Sequence, residues 1–172
     1  MQFSKKVVIL GHFGVGKTSL IRRIVEDSFS NNYEVSIGVH ITKKTIETDS
    51  GTSVSLILWD LEGTNKLDEI RDSYLLGTHA VIFVFDVSRP STFENIHQDL
   101  SIVKKKVSDV PIVVVGNKID LVTSEALAKA LENYEIKYDY LTSAKTGSQV
   151  DDLFARLAKM LVSNVETIQG KL

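Results

Sequence analysis

Continuous apolar runs and helical stripes take turns along this chain. Residues 3–10 hold Val7-Val8-Ile9-Leu10, which reads as a buried strand, and a helical pattern follows over residues 17–27. Residues 39–48 alternate and are rich in β-branched side chains. Asp49-Ser50-Gly51 is a hairpin turn signal, and residues 52–59 form the returning strand. The runs AVIFVF at 80–85 and IVVV at 112–115 are apolar throughout, as suits parallel strands covered on both faces. Between them residues 91–107 read as a helix, with Ser91 as its N-cap after Pro90. A second helix is expected over 123–133, with Glu125 in its first turn, and a weaker strand over 136–141. Val150, Leu153, Phe154, Leu157, Ala158, Leu161 and Val165 share one face of a last helix. The alternation predicts an α/β fold: a doubly wound, mostly parallel sheet with one antiparallel edge strand.

Composition narrows the class without naming a function. The 172 residues are 43% hydrophobic and 24% charged, as in an ordinary globular domain. We expect one domain over residues 1–165 and a short tail at 166–172. With 20 basic and 22 acidic residues the net charge is -2, which gives no reason to expect nucleic acid as a partner. There are no cysteines, so disulfides, thiolate chemistry and cysteine lipidation are excluded within this sequence. No apolar run approaches membrane-spanning length, and the expected location is cytoplasmic.

The first strand runs into Gly11-His-Phe-Gly-Val-Gly-Lys17-Thr18 and then into a helix, which is the context that makes G-x-x-x-x-G-K-[ST] a phosphate-binding signal. Its glycines let successive backbone N–H groups converge on phosphates at the positive end of a helix. Lys17 can reach the β- and γ-phosphates, and the Thr18 hydroxyl suits Mg²⁺. After the strand at 112–115 comes Asn117-Lys118-Ile119-Asp120. The Asp120 carboxylate can accept from guanine N1–H and the 2-amino group, a donor pair adenine lacks. The Lys118 stem can lie over the base, and Asn117 can tie the loops together.

With Trp59-Asp60-Leu61-Glu62-Gly63 and Thr142-Ser143-Ala144-Lys145, these motifs make the chain resemble the Ras-like small GTPase family over nearly its whole length, on its Rab and Rho side. The resemblance implies a P-loop NTPase G domain of six strands and five helices that binds GTP or GDP with Mg²⁺. It implies nucleotide binding by Gly11, Phe13, Gly14, Val15, Gly16, Lys17, Thr18 and Ser19, by Phe29, Tyr33, Ser36 and Gly63, and by Asn117, Lys118, Asp120, Ser143, Ala144 and Lys145. Phe29 stands at the aromatic position beside the base, and the Ala144 N–H at the one facing guanine O6. Thr18, Ser36 and Asp60 are the implied metal set. Two loops, about 28–38 and 60–77, are the implied switches that present effector surfaces. GTPase-activating and exchange factors are the further partners expected.

Three residues near the γ-phosphate depart from the family pattern. Thr64 replaces the Gln that orients the attacking water. Glu62 replaces a small residue, and Phe13 replaces Gly or another small residue. A carboxylate pointing at the phosphate from ~5 Å would be repelled by about 3 kcal/mol at an effective dielectric of ~20. Glu62 is therefore expected to turn away, pair with Arg71 or Lys66, approach Mg²⁺ or protonate. No Arg or Lys lies between Ser28 and Gly38 to neutralise transition-state charge. Lys17, Glu62, Gly63 and Thr64 are the candidate catalytic group, and slow intrinsic GTP hydrolysis is the expectation. Two alternatives stand beside it: Glu62 positions the water, or the chain is a constitutively GTP-bound, non-hydrolysing scaffold. An ATPase is disfavoured by Asp120. His12 is read as packing or facing solvent, and Lys104-Lys105-Lys106 as a solvated helix face.

Overall fold

The computed structural model describes residues 2–32, 37–64 and 66–169. Six strands form one sheet: β1 (Gln2–Gly11), β2 (Val39–Glu47), β3 (Ser53–Leu61), β4 (Ala80–Asp86), β5 (Ile112–Asn117) and β6 (Tyr140–Leu141). Their spatial order is β2-β3-β1-β4-β5-β6. Only the β2–β3 pair is antiparallel; every other pair is parallel. The described helices are α1 (Lys17–Glu26), α2 (Asp72–Leu75), α3 (Ile96–Val107), α4 (Ser124–Asn133) and α5 (Val150–Gln169). This is the doubly wound α/β sheet that the apolar pattern predicts, with β2 as the antiparallel edge.

Period-two alternation distributes the core. Val7 and Ile9 of β1 face α1 and α5 in one fully buried cluster, whereas Val8 and Leu10 face α3 in the other. Phe83, Phe85 and Phe93 fill the second layer, where Phe93 meets Phe85 and Tyr134 edge to face at ring-centroid distances of 5.5 and 5.3 Å. Truncating a buried phenylalanine of this kind to alanine costs about 3–5 kcal/mol.

Two expectations change. The helix read over 91–107 begins only at Ile96, with Asn95 at the N-cap and a separate 3-10 turn over Pro90–Thr92. The Thr92 hydroxyl accepts from the Asp86 N–H and donates to the Arg89 carbonyl, and Phe93 plunges into the core. Tertiary burial therefore breaks the chain where Pro90-Ser91 looks like a helix start. The strand over 136–141 shrinks to β6, because a left-handed Glu135 (φ 49) turns the buried Ile136 inward. Asp139 then bonds both ways to Val114: its N–H donates to the carbonyl and its carboxylate accepts the amide.

Since β1, β3, β4, β5 and β6 are parallel, their carboxyl ends share one edge of the sheet. The loops after them hold Gly14–Gly16, Glu62–Gly63, Ser88–Arg89, Lys118–Asp120 and Ser143–Lys145. Topology alone thus gathers the motifs at one rim, beside the point where strand order reverses.

Candidate functional site

A cavity of about 300 Å³ opens at this rim. Phe13, Gly14, Gly16, Lys17, Thr18, Ser19 and Gly63 line one end; Phe29, Asn117, Lys118, Asp120, Ala144 and Lys145 line the other. Gly11, Val15 and Ser143 lie behind this lining as buried supports. Tyr33 and Ser36, two of the expected ligands, lie outside the described residues.

At the second end the parts bind one another. Asn117 Nδ2 donates to the Val15 carbonyl at 3.0 Å, while its Oδ1 accepts from Thr142 Oγ1 at 3.1 Å and from the Ala144 N–H at 3.2 Å. One side chain therefore ties the phosphate loop to the loops after β5 and β6. Gly16 (φ 98) permits this approach, since a Cβ there would sit 2.4 Å from Asn117 Nδ2. Lys118, itself left-handed (φ 70), donates from Nζ to the Gly14 carbonyl at 2.7 Å. Ser143 Oγ donates to Asp120 Oδ1 at 2.6 Å and orients that exposed carboxylate. Arg23 of α1 secures the last loop from below through the carbonyls of Ala144 and Lys145.

Asp86 and Arg89, not among the site residues expected from sequence, belong to this scaffold. Asp86 is buried at the end of β4, and its Oδ2 lies 2.8 Å from both Arg89 Nε and Lys118 Nζ. Burial pushes its carboxyl up, but the hydrogen bonds from Lys118, Ser88 and Arg89 together outweigh burial and hold it below the usual carboxylate range. Arg89 Nη2 in turn donates to the Phe13 carbonyl at 2.9 Å. Only the F-D-V-S-x-P phrasing at 85–90 hints at this from sequence.

The first end carries buried charge. Lys17 is 6% exposed, and its Nζ donates to the carbonyls of Gly11 and His12 at 3.3 and 3.2 Å. Burial pushes its pKa down to about 8, against the pull of Asp60 and Glu62. Thr18 Oγ1 donates to Asp60 Oδ2 at 2.5 Å, while the buried Asp60 Oδ1 has no hydrogen-bond partner among the described residues. Burial raises the Asp60 pKa, partly offset by Thr18 and Lys17. An orphaned buried carboxylate oxygen beside a hydroxyl is a hard-oxygen donor set, and it fits Mg²⁺. Gly63 packs so closely on the phosphate loop that a Cβ would lie 2.6 Å from Phe13 Cα and 3.0 Å from Lys17 Nζ.

Glu62 bonds the Gly38 backbone while still acting on Lys17 through its charge. Its N–H donates to the Gly38 carbonyl at 2.9 Å, and its Oε2 accepts the Gly38 N–H at 3.3 Å. The pairings expected for it with Lys66 and Arg71 are not made: Lys66 pairs with Glu69 at 2.8 Å, and Arg71 lies over the Tyr74 ring. The Thr64 hydroxyl accepts the Lys66 N–H at 2.9 Å, a local turn contact. His12 neither faces solvent nor packs passively but pairs with Asp99. Lys106 departs from the solvated face expected of it and bonds Asp72 and the Ile70 carbonyl.

The model of the Ras family matches residues 6–163. This chain belongs to the Ras family. Among its relatives, Ras-related protein RABD2a of Arabidopsis thaliana is 36% identical over 159 residues, covering 89% of this chain and 77% of the relative. Ras-related protein Rab-13 of Canis lupus familiaris is 34% identical over 160 residues, covering 90% and 78%. The Ypt/Rab-type GTPase YPT7 of Saccharomyces cerevisiae is 34% identical over 168 residues, covering 90% and 79%. As a Ras-family member the chain is a small GTP-binding switch protein of a GTPase family. No helix among the described residues is long and apolar enough to cross a membrane.

Proposed function

We propose that this Ras-family chain holds GTP or GDP with Mg²⁺ in the rim cavity, hydrolyses GTP slowly, and reports its nucleotide to partner proteins through residues 28–38 and 60–77. One observation carries the reading: a single cavity runs from Lys17, Thr18 and Gly63 to Lys118, Asp120 and Ala144. In it Asp120 accepts from the guanine edge, and the Lys118 stem and Phe29 flank the base. The phosphate-loop amides and Lys17 take the phosphates, whose charge relieves the cost of burying the Lys17 ammonium. Thr18 and Asp60 hold Mg²⁺, with Ser36 as the third expected ligand; bound there, the ion neutralises charge on phosphate oxygens. Effectors, exchange factors and GTPase-activating proteins are the proposed partners, in the cytoplasm.

Hydrolysis is in-line attack of water on the γ-phosphorus, forming one P–O bond as the bond to the β-phosphate oxygen breaks. The chain brings little to it. The Thr64 hydroxyl is committed to its own turn, and the Glu62 carboxylate to Gly38. Phe13 is 43% exposed and borders the cavity where water or a partner's arginine would approach. That last observation favours a second reading, a GTP-retaining scaffold that does not turn over.

Single-turnover phosphate release from GTP-loaded protein separates the two. Measurable but slow release, well below that of a Gln-bearing relative, supports the slow switch. Release indistinguishable from such a relative overturns it, and GTP retained intact over a day supports the scaffold.

A further inference from the structure

We propose that His12 and Asp99 form a positioning pair that anchors the first turn of the phosphate loop to α3 and thereby sets how firmly the third phosphate is retained. The proposal rests on the guanine-nucleotide reading of the cavity and adds to it one residue of the phosphate loop and one of a helix that does not line the cavity.

The His12 Nε2 lies 2.7 Å from Asp99 Oδ2, and both side chains are nearly enclosed, at 13% and 12% exposure. An ionised carboxylate only accepts, so the ring N–H donates, in a short charge-assisted bond. Asp99 stands in the first turn of α3, where a negative charge suits the helix dipole. The two residues are 87 positions apart, and the contact crosses from the loop after β1 to the helix after β4.

Three constraints meet at residue 12. Its ring is held by α3. Its carbonyl accepts Lys17 Nζ at 3.2 Å. The same carbonyl lies 3.0 Å from the position a Cβ on Gly63 would take, so the Gly63 backbone packs directly against it. Lys17 reaches the γ-phosphate in the proposed reading, and the Gly63 N–H, at the edge of the same cavity, is the backbone donor beside it. Moving the His12 peptide therefore shifts both relative to a third phosphate, while the first two phosphates would draw mainly on the amides further along the loop. The ring also borders a second cavity of about 350 Å³, between Leu67 and Asp68 on one side and Gln98, Asp99 and Ile102 on the other. The pair thus forms a fixed post beside the segment that must move when the γ-phosphate leaves.

The test is dissociation of a fluorescent GDP and of a fluorescent non-hydrolysable GTP analogue from the full chain. His12→Ala and Asp99→Ala are each expected to speed analogue release about tenfold and GDP release less than threefold. The double variant should release the analogue no faster than either single. Asp99→Asn keeps an acceptor oxygen for the ring N–H and should stay within threefold of the parent for both nucleotides. Should an alanine variant fail to fold, Asp99→Leu, similar in size but without an acceptor, replaces it. Equal acceleration of both nucleotides with a lowered melting temperature would mean a merely structural role and overturn the proposal. Unchanged release, or additive effects in the double variant, would do the same. A parent chain that binds neither nucleotide sinks the reading of the cavity instead.

Discussion

At one end of the cavity Asn117 alone makes three side-chain hydrogen bonds that knit three loops together; at the other, Asp60 Oδ1 is buried with no partner among the described residues and Lys17 is held as a costly buried cation. The base end is finished before any ligand arrives. The Asn117 amide, the Thr142 hydroxyl and the Ala144 N–H satisfy one another, so the entropy of ordering these loops is already spent and the frame around Asp120 is pre-organised. The phosphate end is left incomplete. A polyphosphate anion supplies what Lys17 lacks, and a cation supplies what Asp60 lacks. Selectivity is thus built into the rigid end, and state-dependence into the end whose charges are balanced only by ligand.

The largest effect should come from the rigid end. On the proposed reading Asp120→Ala removes two charge-assisted hydrogen bonds to the base, each worth about 1.5–3 kcal/mol, so GDP affinity should fall by some 10²–10⁴-fold in calorimetry. The cost to the fold should be small, because among the described residues the exposed Asp120 carboxylate meets only Ser143 Oγ, a buried hydroxyl that still accepts the Thr146 N–H. A loss below tenfold would mean that the base is read elsewhere.

The unfinished end should respond in rate rather than affinity. Thr64→Gln restores a side chain long enough to orient water and is expected to raise single-turnover hydrolysis about tenfold or more. Glu62→Ala should leave turnover within about twofold, because its carboxylate bonds the Gly38 amide. A fall beyond tenfold with unchanged GTP affinity would instead identify Glu62 as the water-positioning group.

A site far from both ends gives the baseline and the smallest effect. Burial, then Lys5 and Lys6, hold His79 below its ordinary value, and its Nδ1 accepts the Lys6 N–H at 3.1 Å. The unfolded chain protonates this imidazole at the ordinary value before the folded chain does, so stability is lost as pH falls from 7 towards 5.5. The melting temperature should drop by about 1–2 °C more in the parent than in His79→Gln over that range. Hydrolysis of GTP should not distinguish the two.

What could be read from sequence follows the same division. The base end is written in contiguous motifs whose chemistry is local: a strand, then Asn117 to Asp120, or a strand, then Thr142 to Lys145. Continuous apolar runs make β1, β4 and β5 legible for the same reason. The scaffold around Asp86 and Arg89 was hidden, because its meaning depends on Lys118 and the Phe13 carbonyl meeting it across the sheet edge. Glu62 was read as a residue in conflict, but its resolution on Gly38 requires the β2–β3 register. The start of α3 lies later than expected because Pro90-Ser91 looks locally like a helix N-terminus, and the burial of Phe93 overrides it.

The central claim is that one guanine nucleotide spans both ends of the rim cavity. It is tested most directly by denaturing the purified chain and quantifying the nucleotide released, then titrating the emptied protein with GDP and with ADP. The account predicts a guanine nucleotide at close to one per chain, and tight binding of GDP with none of ADP. Release of an adenine nucleotide, or an emptied protein that binds neither diphosphate, would contradict it.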